Sequence, residues 1–490
     1  MRVQLRRVAT WITALCRRIG NRLAAGLHRA GIIDRDRLTE TLDLAWPRIV
    51  TGFAIMSKNT VDLAIIGFVL GAPAVAGVAF AFAFWQLAKF LSIGLAGGTV
   101  SLVSQSYGGG DPTRASLVVK QSLIVSALLV TPIVGGFVVF AEPLISLVGG
   151  DGDALGFGVI YLVVTAPALL FEFFNMIASR TYAGVGDTFT PMVIRAGGAL
   201  LNIGLTAALV LGAGLGVLGA ALGTTLSIAA VALVLSWGMT GRSYGGHGAS
   251  PVPVGLRGQW IDLSLTRQLL RVSTPLMGRR VAEGIAVFPL LWIAASFGSA
   301  TVAALEVGRR VRDLLGSFSW GFSIAASTLV GQRLGAAEEA LATAYARDVI
   351  KLSAVVYVLA SALVFLAAES IARVFVDDPA AIAAATAFVI VAALSAIPLG
   401  IDGSVTGSLR GAGDTRWPFA ASLVGRYGVA IPAALIGLAT PLGVVGLYAA
   451  VLLETLVPAL INGIRFRSNR WQAVSRQYRP AADERESTGE

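Results

Sequence analysis

Carboxylates stand inside stretches that are otherwise apolar, among them Asp62, Glu172, Glu283, Asp402 and Glu454, with Glu306 and Asp313 sharing one segment. A charge at mid-bilayer costs about 2.5 to 3.5 kcal/mol on insertion scales, so one that persists there has a use or a partner. A carboxylate that meets a dry and a wet environment in turn can load and release a proton, or trade it for a cation. Ion carriage is therefore the chemistry these residues offer. Neighbouring bases offer the plainer reading, neutralisation. Lys58 precedes Asp62 by four residues and Arg279 precedes Glu283 by four, the spacing of a helical ion pair, and Arg309, Arg310 and Arg312 stand beside Glu306 and Asp313. Lys89, Arg280 and Arg426 add positive charge at the same depth, which leaves open a cavity of mixed or even positive potential. Glu172, Lys58, Phe84, Trp85 and Trp292 are candidate cavity residues, although the aromatic ones suit ordinary helix packing as well.

Other chemistries lack their residues. One cysteine, Cys16, and two histidines, His28 and His247, all outside the apolar stretches, give nothing from which to build a zinc, haem or iron–sulfur site, and no cofactor is expected. Gly214, Gly216 and Gly219 spell a dinucleotide fingerprint but have no strand before them. Gly108, Gly109 and Gly110 lack the Lys-Ser/Thr of a phosphate loop, so work would have to be driven by an ion gradient, with H+ or Na+ as the coupling ion. No clustered ligands or exposed catalytic loop suggest an enzyme.

The elements that position these residues follow from composition, 56% hydrophobic and only 13% charged. Twelve apolar stretches each match a bilayer core of roughly 30 Å. They lie at about 44–70, 75–106, 117–139, 156–181, 190–212 and 216–239, then 266–294, 301–331, 342–367, 383–409, 416–437 and 443–466. The second six repeat the first. Ala183-Gly184-Val185-Gly186-Asp187-Thr188 returns 227 residues later as Arg410-Gly411-Ala412-Gly413-Asp414-Thr415, and Ser104-Gln105-Ser106-Tyr107-Gly108 returns at the same offset as Gly331-Gln332-Arg333-Leu334-Gly335. A constant offset implies a duplicated half. Six spans per half is even, so the halves are parallel repeats, with solute expected between them. The predicted fold is an all-α polytopic membrane protein of two lobes forming a V: a basic amphipathic tail over 1–42, an N-lobe over 43–240, a linker over 241–265, a C-lobe over 266–467 and a disordered tail over 468–490. The duplication also ranks the acids. Asp62 corresponds to Pro289, Glu283 to Met56 and Glu172 to Leu399, so the repeat itself needed none of them.

Arginine placement orients the chain. The tails, the linker and the loops near Arg114, Arg180, Arg333, Arg410 and Arg416 carry most of the basic charge, against Glu142, Asp151, Asp153, Glu369, Asp377 and Asp378 on the other side. Both termini are expected in the cytoplasm, in a cell inner membrane. The formal charge of +10 reads as this bias, not as a nucleic-acid surface, because the arginines form no continuous patch. Residues 8–16 could pass for a signal core, but Arg17 and Arg18 follow without a cleavage site, which favours an amphipathic helix on anionic lipid.

The two six-helix halves, the paired Gly-Asp-Thr loops and the Gln105–Asp111 segment with its counterpart Gln332–Glu338 resemble the multidrug and toxic compound extrusion (MATE) family over about residues 42–466. The resemblance implies a monomeric secondary antiporter that expels small organic, typically cationic, compounds in exchange for H+ or Na+. By the same resemblance Asp62 fits the helix 1 aspartate and Pro47 the proline at which that helix bends. Asn202 and Thr224 fit the N-lobe cation site. Thr206 stands where one branch has a second aspartate, a departure that favours H+ over Na+. Glu283 fits the helix 7 acid of another branch, with Asp402 about a turn from that branch's second acid. Together they form a reserve site. A flippase for a lipid-linked anionic headgroup is the alternative, and a membrane enzyme or a scaffold a more distant one.

Overall fold

The computed structural model describes residues 33–478 apart from 245–247, 256, 257, 377 and 378. Among the described residues twelve helical segments follow the twelve apolar stretches; ten are single helices long and apolar enough to cross a membrane, and an eleventh is a bent pair. In the N-lobe they are α1 (Arg35–Leu70), α2 (Ala72–Gly108), α3 (Pro112–Val139), α4 (Gly152–Thr165 with Ala168–Gly184), α5 (Phe189–Ala207, then a π turn Ala208–Gly212) and α6 (Gly216–Met239). In the C-lobe they are α7 (Leu263–Ile285 with Val287–Ser296), α8 (Ser299–Gly335), α9 (Glu339–Leu366) and α10 (Pro379–Gly411). α11 follows as Arg416–Leu423, a π turn Val424–Ala430 and Ile431–Ala439, and α12 is Val445–Arg467. Large apolar residues such as Phe68, Leu128, Leu233 and Leu366 are exposed on the outer surface, where lipid tails would cover them.

Local chemistry explains the ends and the breaks. Asp34, Asp111 and Asp262 accept hydrogen bonds from backbone N–H groups of the first turns of α1, α3 and α7. α4 bends by 51° where Pro167 lacks a donor. The carbonyls freed there are not wasted: Thr225 donates to Val164 at 2.9 Å and the Trp85 indole donates to Thr165 at 3.3 Å. α1 instead runs as one continuous helix through Pro47, so the bend expected there does not break it in this state.

Two boundaries differ from the sequence reading. α1 begins at Arg35 rather than after residue 42, because Leu38 and Thr41 are buried and Arg37 pairs with Asp348 of α9 at 2.7 Å. The tail expected to be disordered from 468 is ordered to 478. A short helix, Arg470–Ser475, buries Trp471 against Phe466 with ring centroids 5.6 Å apart, and Arg476 meets Glu339 at 2.9 Å. The expected amphipathic segment lies, up to residue 32, outside the described residues.

The lobes meet on the side that carries the linker and the C-terminal helix. α2 packs along α7 and α8, while α1 packs against α8. The duplicated motifs make this contact. Gln105 donates to the Gly411 carbonyl at 2.8 Å, and Gln332, its counterpart, donates to the Gly184 carbonyl at 2.9 Å, with Gly184 the counterpart of Gly411. Thr188 and Thr415, also counterparts, donate to the carbonyls of Leu44 and Val272 at 3.0 and 2.8 Å. The aspartates of the same loops diverge. Asp187 accepts from the Thr190 N–H at 2.9 Å, whereas Asp414 binds Arg465 at 2.7 Å, and burial pushes the Asp414 carboxyl up despite that partner.

Candidate functional site

Away from this closed side a cavity of about 840 Å3 opens into the N-lobe, lined by α1, α2, α4, α5 and α6, with Arg310 reaching in from α8. Asp62 lines it, 7% exposed. With its amide turned to satisfy both neighbours, Asn202 of α5 donates to the two Asp62 oxygens at 2.8 and 2.9 Å and accepts from the Thr224 hydroxyl of α6 at 3.2 Å. Lys58, one turn back, stands 3.5 Å from the same carboxylate. Thr206 completes the group from α5, its hydroxyl buried against Gly223 without a hydrogen-bond partner. The structure thus gathers Asp62, Asn202, Thr206 and Thr224 from three helices. Tyr161, buried beside Thr224 on α4, belongs to the same group and had no sequence signal beyond its place in an apolar run.

Deeper in the cavity Glu172 is held by Arg195 at 2.9 Å and Lys89 at 3.5 Å. Lys89 also lies 5.7 Å from the Trp85 ring centre. Arg195 was missed by the sequence reading, although the cost of burying its charge in α5 would have flagged it. Lys58, Glu172 and Trp85 do line the cavity. Phe84 and Trp292 do not. Phe84 packs edge-on to Phe137, ring centres 6.3 Å apart, and Trp292 faces outward at 63% exposure.

The C-lobe acids sit in a tighter space of about 140 Å3 and are bound by arginine. Arg279 bridges Glu283 and Asp402, each at 2.9 Å. Arg280 meets Glu283 at 2.8 Å and Arg426 lies 3.6 Å from it. Asn462 donates to Asp402 at 2.7 Å. Glu454 is paired with Arg312, so that arginine serves a neighbouring helix and not the Glu306 and Asp313 of its own; Arg309 takes Glu306 at 3.1 Å. Among the described residues no group of three or more His, Cys, Asp or Glu side chains could hold a metal ion.

Two lobes of this order, closed by a duplicated glutamine contact around buried acids, invite comparison with known membrane proteins. The sequence profile of MatE matches residues 47–208 and 275–436, one copy in each lobe. The chain belongs to the MatE family. Among its relatives is a probable multidrug resistance protein NorM of Bradyrhizobium diazoefficiens, 28% identical over 88% of this chain and 93% of that protein. A FAD transporter of Shewanella oneidensis is 23% identical over 74% and 79% of the two chains. A crystal structure of MATE in the bent conformation superposes with a TM-score of 0.83 at 21% identity, covering 90% of this chain and 97% of that one. This MatE-family chain is accordingly a multi-pass membrane transporter with the twelve-helix, two-lobed fold that the sequence predicts.

Proposed function

We propose that the chain is a secondary active exporter of small organic solutes, working by alternating access and driven by a proton carried on Asp62. The observation that carries this reading is the clamped carboxylate in the wall of a large N-lobe cavity. A proton reaching Asp62 from the open side neutralises it, releases Lys58, and removes the reason for Asn202 to hold both oxygens. α1 is then freed from α5 and α6, and the balance between the two access states shifts. A proton fits better than Na+. The Lys58 ammonium, 3.5 Å from the carboxylate, already supplies the positive charge that a bound Na+ would have to displace. Glu283 and Asp402, the reserve pair, are fixed by several guanidiniums and have no such freedom.

Arginine bias puts the termini and linker in the cytoplasm, which makes this an outward-open state and the Gln105 and Gln332 contacts the inner gate. The relatives' names include both drug resistance and transport of FAD, a molecule with two phosphates, so descent leaves the substrate's charge to the cavity itself. There the organic cation implied by the family resemblance meets more bases than acids.

The test needs no substrate. Spin labels on exposed Thr113 and Ala340, one on each lobe at the closed side, are introduced as cysteines after Cys16→Ser and read by pulsed dipolar spectroscopy. Lowering the pH should shift the distance distribution in the wild type, and Asp62→Asn should hold one distribution at every pH. A wild type indifferent to pH overturns proton coupling. An Asp62→Asn protein that still responds moves the coupling site elsewhere.

A further inference from the structure

We propose that the solute is an organic anion bearing phosphate or carboxylate groups, taken up by the buried Arg180 with the half-buried Arg48 and Arg410 and passed to Arg195 in the wall of the cavity. This rests on the exporter reading and fixes the charge of its substrate.

Arg180 is 6% exposed between the lobes, near the end of α4. Among the described residues no carboxylate lies within ion-pairing distance of it, and the charged side chains that share its chamber, Arg48 and Arg195, are both positive. Arg48 lies 5.3 Å from the Trp320 ring centre, its buried Nε without a hydrogen-bond partner, and Arg280 lies 5.5 Å from the same ring. Arg410 is held only by neutral groups, the Ser323 carbonyl at 2.8 Å and the Ser323 and Ser327 hydroxyls. Arg195 spends one nitrogen on Glu172 and leaves Nε and Nη1 buried and unpaired.

Positive-inside bias does not account for this cluster, because it concerns loops and headgroup-facing residues, whereas these side chains are shielded between two lobes. Buried charge is kept where something compensates it. Ten lysines and arginines against five acids line the N-lobe cavity, the chamber at Arg48 and Arg180 and the C-lobe space together. A cation entering there meets net repulsion, while an anion supplies the missing carboxylates, and guanidinium forks suit phosphate and carboxylate in particular.

In this state the chamber around Arg48 and Arg180 is about 20 Å3, room for one water at most. The anion must therefore be taken up when the lobes part on the closed side. Arg195 borders both this chamber and the large cavity, which makes it the point of transfer. A proton on Asp62 frees Lys58 and does not compete with an anion, so solute and proton exclude one another through the access change and not through charge. A membrane potential negative inside drives the anion in the same outward direction.

Calorimetry on the full-length chain in lipid nanodiscs tests the class with four probes: inorganic pyrophosphate, ADP, farnesyl diphosphate and ethidium. Diphosphates should bind and ethidium should not. Binding of pyrophosphate and ADP identifies a soluble source, and binding of farnesyl diphosphate alone a lipid-linked one. Arg180→Gln should weaken diphosphate binding at least tenfold and yet raise Tm, because it removes an unpaired buried charge, while Arg180→Lys should keep part of the affinity. Ethidium binding in preference to every diphosphate overturns the proposal, as does diphosphate affinity unchanged in both Arg180→Gln and Arg195→Gln. The pH response of the lobe distances, measured on the same preparation, separates the two readings. Its presence without anion binding overturns the anion alone, and its absence with anion binding overturns proton coupling alone.

Discussion

The contact between the lobes at the closed side can be wedged by a single methyl group. Gly108 approaches the Gln332 carbonyl oxygen and Gly335, its counterpart, approaches that of Gln105; an added Cβ at either site falls nearly 1 Å inside the 3.0 Å that real Cβ atoms keep from such an oxygen. The obstacle is backbone on the opposite lobe, so no rotamer change relieves it. Either the helices shift within their lobe or the lobes part by about that distance. Overpacking of this kind costs about 1 to 3 kcal/mol, which corresponds to a shift of roughly 5- to 150-fold in an equilibrium between closed and parted states. Gly108→Ala and Gly335→Ala should therefore each populate the state open on the linker side, and by similar amounts, since the repeat makes the two contacts alike. The double variant should gain less than the sum, because both act on one interface. Distances between labels at Thr113 and Ala340 measure the population. Gly136→Ala, with nothing within 4 Å of the new methyl, is the control. A distribution unchanged in both gate variants would refute the reasoning and mean that the helices yield locally.

Other perturbations follow from the same contacts. Gln105→Ala and Gln332→Ala each remove one interlobe hydrogen bond, worth about 0.5 to 1.5 kcal/mol, and should shift the label distances in the same direction but less far than the glycine variants. Glu283→Gln leaves the guanidiniums of Arg279, Arg280 and Arg426 short of a counter-charge, so a loss on the order of 3 to 5 kcal/mol should appear as a lowered Tm before any effect specific to transport. Asp262 caps α7 outside the membrane, and the backbone N–H of Leu265, with Ser264, holds its carboxyl below the ordinary value of 3.8. The charged form is the one the fold favours, so Asp262→Ala should cost about 1 kcal/mol near neutrality, a difference from wild type that fades as pH falls below 3.8 through the depressed value.

How much of this was legible in the sequence depends on how local the cause is. The spans were legible because a bilayer imposes length and apolarity on each one separately. The early start of α1 was not, since it is fixed by Arg37 meeting Asp348, 311 residues away. The duplicated Gln and Gly motifs were visible as a repeat, but their purpose was hidden until Gln105 was found on Gly411, 306 residues on. Phe84 and Trp292 were misplaced for a different reason. Lipid and protein interior are both apolar, so the pattern along a span does not tell the face towards lipid or core from the face towards a cavity. Arg195 was within reach, for the argument from the cost of buried charge applies to bases as fully as to acids. Arg180 and Arg410 were read as loop charge because they lie near helix ends, and only the packing of the helices shows that each lines an interior space.

The two lobes divide the work along the line between what the repeat shares and what it does not. The shared residues, Gln105 and Gln332, Gly184 and Gly411, Gly108 and Gly335, all sit at the gate, where two lobes that rock against each other need matching surfaces. The unshared residues are the charges. In the C-lobe, Glu283 faces three guanidiniums and Asp402 takes Arg279 and Asn462, in a space too small for a solute. Displacing any one partner there leaves others in place, so a proton gains little hold. In the N-lobe, Asp62 has one lysine and one amide beside a cavity six times larger. A coupling group must be wetted and neutralised within each cycle, and only the acid with few partners and an open door can do both. That asymmetry, laid over symmetric contacts between the lobes, is the physical ground for the proposal that seats proton coupling in the N-lobe.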